Sequence, residues 1–117
     1  IFAAPISYKM KIPLILVRKK GKLPSSSYKA KYALEYGFDI LEINKDSINK
    51  TDRIMVIDDL IATGGTALAT SKLISKSSSK KINFVFVIEL EDLPGVAKIK
   101  KLGHAVKTLC SFKEEER

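Results

Sequence analysis

The chain has no tryptophan, one histidine and one cysteine among its 117 residues. A lone cysteine, Cys110, excludes an internal disulfide and fits a reducing, cytoplasmic setting. Its apolar surroundings, TLCSF, read as those of a buried structural thiol rather than a nucleophile. One Cys and one His cannot build a Cys/His zinc centre. His104 follows Gly103 and reads as a helix-end or surface residue. No apolar run approaches the ~20 residues that span a bilayer, so no membrane association is expected. The opening IFAAPISYKMK carries no basic stretch ahead of its few apolar residues, so a secretory signal is not expected. Arginine is scarce too: Arg18, Arg53 and Arg117 stand against 18 lysines. Arginine does most of the reading of base edges, and here the lysines are scattered with few aromatics between them. The formal charge of +8 suggests nucleic-acid binding, but this distribution argues against specific binding, and a small polyanionic ligand accounts for part of the charge.

What is present suits one globular domain over residues 1–117: 45% hydrophobic residues and a mean hydropathy of +0.01. Phe2, Ile6 and Met10 recur at helical spacing, and Pro13 ends that helix. LILV (14–17) is a continuous apolar run, as in a buried parallel strand. RKKGKLPSSS (18–27) reads as a loop. YKAKYALEY (28–36) alternates apolar and polar residues, and DILEI (39–43) answers it after Gly37, which predicts a β-hairpin over 28–43. RIMVI (53–57) and INFVFVI (82–88) read as buried strands, and AVKTLCSF (105–112) as a last one. Ala69, Leu73 and Ile74 mark the inner face of a helix running to about Lys76. A second helix is expected from an Asp92 cap, with Pro94 in its first turn, to Gly103. KEEER reads as a frayed tail. Strands alternating with helices predict an α/β fold with a mostly parallel sheet.

The chemistry concentrates in MVIDDLIATGGTA (55–67). Two adjacent acids end an apolar run, and Thr63-Gly64-Gly65-Thr66 follow before a helix. Open α/β sheets bind ligands at the carboxyl ends of strands. Glycines allow close backbone approach, and a helix start offers free N–H donors. A phosphate suits the glycines and threonines. Asp58 and Asp59 would repel it but would accept hydrogen bonds from a sugar diol, so the pattern fits a ribose 5-phosphate. A Walker A lysine and a GxGxxG are both missing. The plain alternative is a tight strand-to-helix turn beside a solvated acid pair.

MVIDDLIATGGTA resembles the phosphoribosyl-diphosphate motif of the type I phosphoribosyltransferases. RKKGKLP (18–24), YALEYG (32–37), LEINKD (41–46) and IEL (88–90) are similar, in order and spacing, to adenine phosphoribosyltransferases. The resemblance implies transfer of ribose 5-phosphate to adenine, giving AMP and diphosphate, with Mg²⁺ as cofactor and a homodimer as the assembly. It implies that Asp58 and Asp59 hold the ribose hydroxyls, directly or through Mg²⁺. Ala62, Thr63, Gly64, Gly65 and Thr66 would take the 5-phosphate, and Lys22 the diphosphate. Glu35 would serve as acid/base or charge stabiliser, Tyr36 as a cover over the sugar, and Leu90 as a wall of the base pocket. Without the resemblance, Lys22 is equally a solvated lysine, Glu35 the polar face of a strand, and Tyr36 a packing residue. Ser25 stands where the family loop has glycine. Set against the family, the first core strand, its Ser-Arg-Gly loop and an N-terminal hood over the base are expected to be absent. A non-catalytic module that binds phosphoribosyl diphosphate or AMP is the other class of function the residues allow.

Overall fold

The computed structural model describes residues 1–21, 26–34 and 37–113. In chain order the elements are α1 (Ala3–Met10), β1 (Val17–Lys19), β2 (Ser27–Leu34), β3 (Gly37–Asn44), β4 (Met55–Ile61), α2 (Gly65–Ser75), β5 (Asn83–Leu90), α3 (Gly95–Lys101) and β6 (Ala105–Phe112). They divide into two units. One holds Ile1–Leu14, Ile54–Gly64 and the described part of Lys81–Arg117; the other holds Ile15–Arg53 and Gly65–Lys80.

The first unit carries a parallel sheet in the order β4-β5-β6. Its register sets Asp58 beside Phe86 and Ile61 beside Glu89, so the turns after β4 and β5 leave from the same, carboxyl edge. Phe84 and Phe86 lie on one face of β5 and are 1% and 2% exposed. Their rings stack with centroids 6.1 Å apart. Ile82, Ile61 and Ile99 are buried as well, and α3 packs against β6. His104 Nδ1 accepts the Ile82 N–H at 3.0 Å, and its ring tilts against Phe84. That is a structural histidine at the end of a helix: α3 stops at Lys101, and Gly103 follows at φ +90°.

The second unit carries an antiparallel sheet, β1-β3-β2. The expected hairpin is there: Tyr28 pairs with Ile43, Lys29 with Glu42 and Tyr32 with Asp39. The Tyr32 hydroxyl reaches Asp39 at 3.4 Å, and Lys19 meets the same carboxylate at 3.4 Å. The middle strand buries three successive residues, Leu41, Glu42 and Ile43. The Glu42 carboxylate accepts the Gly21 N–H at 3.3 Å and lies 4.0 Å from Lys29 Nζ. α2 packs on β2 and β3, with Ala69, Leu73 and Ile74 buried as the helical spacing predicts.

Four expectations are corrected. LILV is not a buried parallel strand: Leu14, Ile15 and Leu16 are exposed, and only Val17 enters a strand, β1, antiparallel to β3. A short apolar run carries no directional signal, and the partner decided. β4 is an edge of its sheet with Met55 exposed, and it runs on through Ile61, so the acids lie inside the strand and not after it. α3 starts at Gly95 with Pro94 at its cap, not at Asp92. Cys110 is exposed, because the outer half of edge strand β6 is uncovered from Leu109 to Phe112; its Sγ bonds the Val87 carbonyl at 3.2 Å.

Candidate functional site

β4 carries Asp58 and Asp59 in its second half, two residues short of its carboxyl end at Ile61. Asp58 is half-buried and Asp59 exposed. The Asp59 N–H donates to Asp58 Oδ1 at 2.9 Å. Burial pushes the Asp58 carboxyl above its ordinary value; the hydrogen bond from the Asp59 N–H opposes the rise, and the neighbouring Asp59 carboxyl adds to it. Asp58 so placed holds its charge reluctantly and gains from any partner that donates hydrogen bonds, as a vicinal diol does.

The turn after β4 is built from backbone. Gly64 sits at φ +89°, where side-chain-bearing residues are strained. A Cβ there would stand 2.9 Å from the Gly95 Cα. A Cβ on Gly95 would stand 2.4 Å from the Ala62 carbonyl oxygen and 3.0 Å from the Gly64 nitrogen. The Gly95 N–H donates to that Ala62 carbonyl at 3.0 Å. Thus Ala62 and Gly64 are held against the turn after β5, while Thr63 is exposed. Gly65 and Thr66 open α2, whose first N–H groups have no partner within the helix. No acid lies in its first turn. The Thr66 carbonyl accepts the Thr70 hydroxyl at 2.8 Å within the helix.

Leu90 ends β5 on the same edge as Ile61, partly exposed, and its carbonyl closes the following turn by accepting the Leu93 N–H at 3.2 Å. Ala62, Thr63, Gly64 and Leu90 therefore share the carboxyl edge of one sheet, with Asp58 and Asp59 just inside it on β4. Lys22, Glu35 and Tyr36 lie outside the described residues. Gly95 was not singled out from the sequence. Its signal was a second glycine at a second strand-to-helix turn.

Residues 1–111 match the phosphoribosyl transferase domain family. The chain belongs to that family. An adenine phosphoribosyltransferase of Nitrosomonas europaea is 45% identical over 114 residues, covering 97% of this chain and 66% of the relative. A crystal structure of the Thermoanaerobacter pseudethanolicus adenine phosphoribosyltransferase matches with a TM-score of 0.86 and 38% identity, over 95% of this chain and 63% of that one. The Saccharomyces cerevisiae adenine phosphoribosyltransferase, complexed with D-2,5-dideoxy-2,5-imino-altritol 1,6-bisphosphate and adenine, matches with a TM-score of 0.84 and 36% identity, over 93% and 60% of the two chains. This chain spans about two thirds of the length of the curated relatives it matches. The type I phosphoribosyltransferase fold, with its parallel sheet flanked by helices, is thereby that of this chain.

Proposed function

We propose that the chain carries out purine salvage as an adenine phosphoribosyltransferase: ribose 5-phosphate passes from its 1-diphosphate to N9 of adenine, and diphosphate leaves. The observation that carries this reading is the Asp58–Asp59 pair inside β4, followed by a glycine turn at the carboxyl edge of that parallel sheet, in a chain whose relatives bear that name. The Saccharomyces structure, which holds a bisphosphate and adenine together, supports the choice of ligands.

The residues take roles that their chemistry fits. The backbone of Ala62, Thr63, Gly64, Gly65 and Thr66, with the two threonine hydroxyls, binds the 5-phosphate. Asp58 and Asp59 accept from the ribose 2- and 3-hydroxyls, and their charge favours the oxocarbenium-like ring that forms as the C1–O bond breaks. Leu90 supplies an apolar wall for the base. Lys22 neutralises the leaving diphosphate, Glu35 acts as acid/base or charge stabiliser, and Tyr36 covers the sugar; these three rest on the family resemblance. No cluster of three or more Asp, Glu, His or Cys that could hold a cation occurs among the described residues. The donor set fits Mg²⁺ as a partner of substrate phosphates and water, with Asp58 and Asp59 at most nearby. When bound it supplies positive charge to the departing diphosphate. A homodimer and a cytoplasmic setting belong to the same reading and rest on the resemblance.

The test is conversion of radiolabelled adenine to AMP with the diphosphate donor and Mg²⁺. Label in AMP supports the transferase. Donor binding without AMP would replace it with a binding module, and neither would overturn both.

A further inference from the structure

We propose that Gly95 is a positioning residue for the phosphate-binding turn, acting through the Ala62 carbonyl and Gly64; the inference rests on the reading of residues 62–66 as the 5-phosphate cradle. Gly95 lies after β5, a strand away from the motif, and reaches no ligand itself. What it gives the turn is an N–H and an empty volume.

The N–H fixes the Ala62 carbonyl at 3.0 Å. That bond turns the Ala62 carbonyl toward α3, so the peptide that joins Ala62 to Thr63 has a set orientation, and with it the Thr63 N–H. The empty volume allows the approach: a methyl at 95 would overlap the Ala62 oxygen at 2.4 Å and the Ile61 Cγ1 at 2.8 Å. None of these atoms can yield cheaply. The first is backbone already bonded to residue 95, and Ile61 is 2% exposed. Gly64 makes the reciprocal contact, 2.9 Å from a Cβ on itself to the Gly95 Cα. Two glycines from two turns thus meet face to face. Any side chain at 95 must push the turn off the sheet edge or twist the peptides that would face the phosphate. Gly103 makes the useful contrast. Unlike Gly95 it sits at positive φ, +90°, yet a Cβ there meets nothing within 4 Å.

The experiment compares AMP with adenosine by calorimetry on the full chain, so that the ratio of affinities isolates the phosphate. The wild-type chain is expected to bind AMP at least about tenfold more tightly than adenosine, a single charge-assisted contact being enough for that. Gly95→Ala should bring the ratio close to one while adenosine affinity holds, and Gly103→Ala should keep the wild-type ratio despite its strained backbone. A wild-type ratio of one removes the cradle reading, and the Gly95 inference with it. A wild-type ratio preserved in Gly95→Ala leaves the cradle and overturns the inference. Equal losses in both variants also overturn it, since general destabilisation would then explain them. Should Gly95→Ala not fold, amide exchange in the wild-type chain decides: AMP, but not adenosine, must slow exchange of the Gly95 N–H, and an unchanged rate overturns the inference.

Discussion

The main-chain N–H of Asp59 donates to the Asp58 carboxylate at 2.9 Å, so the two acids are tied by their own backbone inside a strand. That bond partly offsets the cost of holding adjacent carboxyls at a half-buried position. It does not cancel it, and Asp58 keeps a raised pKa.

A pH dependence follows with a definite sign. Between the ordinary value of 3.8 and its raised folded value, Asp58 holds a proton in the folded chain that the unfolded chain has released. Stability therefore falls as pH rises through that window, and stays lowered above it. Asp58→Asn removes the titration. Its melting temperature should exceed the wild-type value at pH 7, and the gap should close toward pH 3. Thermal unfolding across that range measures it; an Asn variant less stable at neutral pH would refute the sign. The same variant, and Asp59→Asn, should weaken donor binding by about 1–3 kcal/mol each, as expected for a lost charged hydrogen bond.

Gly65→Val places a β-branched side chain at the first position of α2, where the proposed phosphate comes close to backbone. AMP should raise the melting temperature of the wild-type chain and leave that of the variant unmoved. Equal protection would dismiss residue 65 from the cradle.

His104→Ala removes the acceptor of the Ile82 N–H. A buried donor without a partner costs about 1–3 kcal/mol, and the ring contact with Phe84 goes too. Urea denaturation should show that loss. Exposed Lys107→Ala, two strand residues away from Ala105, should stay within about 0.5 kcal/mol of wild type.

Phe84→Ala empties the centre of the parallel sheet's packed face, where the ring is 1% exposed and stacked on Phe86. The cost should be about 3–5 kcal/mol. Leu109 is 66% exposed on the edge strand, and Leu109→Ala should change the denaturation midpoint little.

The elements that were legible in the sequence are those whose pattern has one structural meaning. The alternation from Tyr28 to Ile43 can be little other than a hairpin, and Ala69, Leu73 and Ile74 fix one face of a helix. INFVFVI and AVKTLCSF were long enough and rich enough in β-branched and aromatic residues to be strands. The motif from Asp58 to Thr66 gives a strand followed by a helix with a glycine turn between them, and that order is present in β4 and α2. LILV misleads because four apolar residues suggest burial and nothing else, and in the fold three of them are exposed. The apolar setting of Cys110 suggests burial, yet the thiol is exposed, because its neighbours in sequence do not cover it in space. Gly95 was invisible for the same reason: what forbids a side chain there is the Ala62 carbonyl, more than thirty residues back.

Glu42 gives the hairpin a means of keeping its alignment. A strand buried on one face resists slipping because a one-residue shift would expose its apolar set. β3 lacks that safeguard at its middle, where Leu41, Glu42 and Ile43 are all buried. The carboxylate replaces it. In the native pairing it faces Lys29 and receives the Gly21 N–H. Moved by one position it would stand opposite Tyr28 or Ala30, a buried charge drawn away from its cation. The shifted hairpin would then carry a desolvated anion, a costly species. A one-residue slip would thus part Glu42 from both Lys29 and the Gly21 N–H, so this one acidic side chain adds to the alternation of β2 a second mark of the native register.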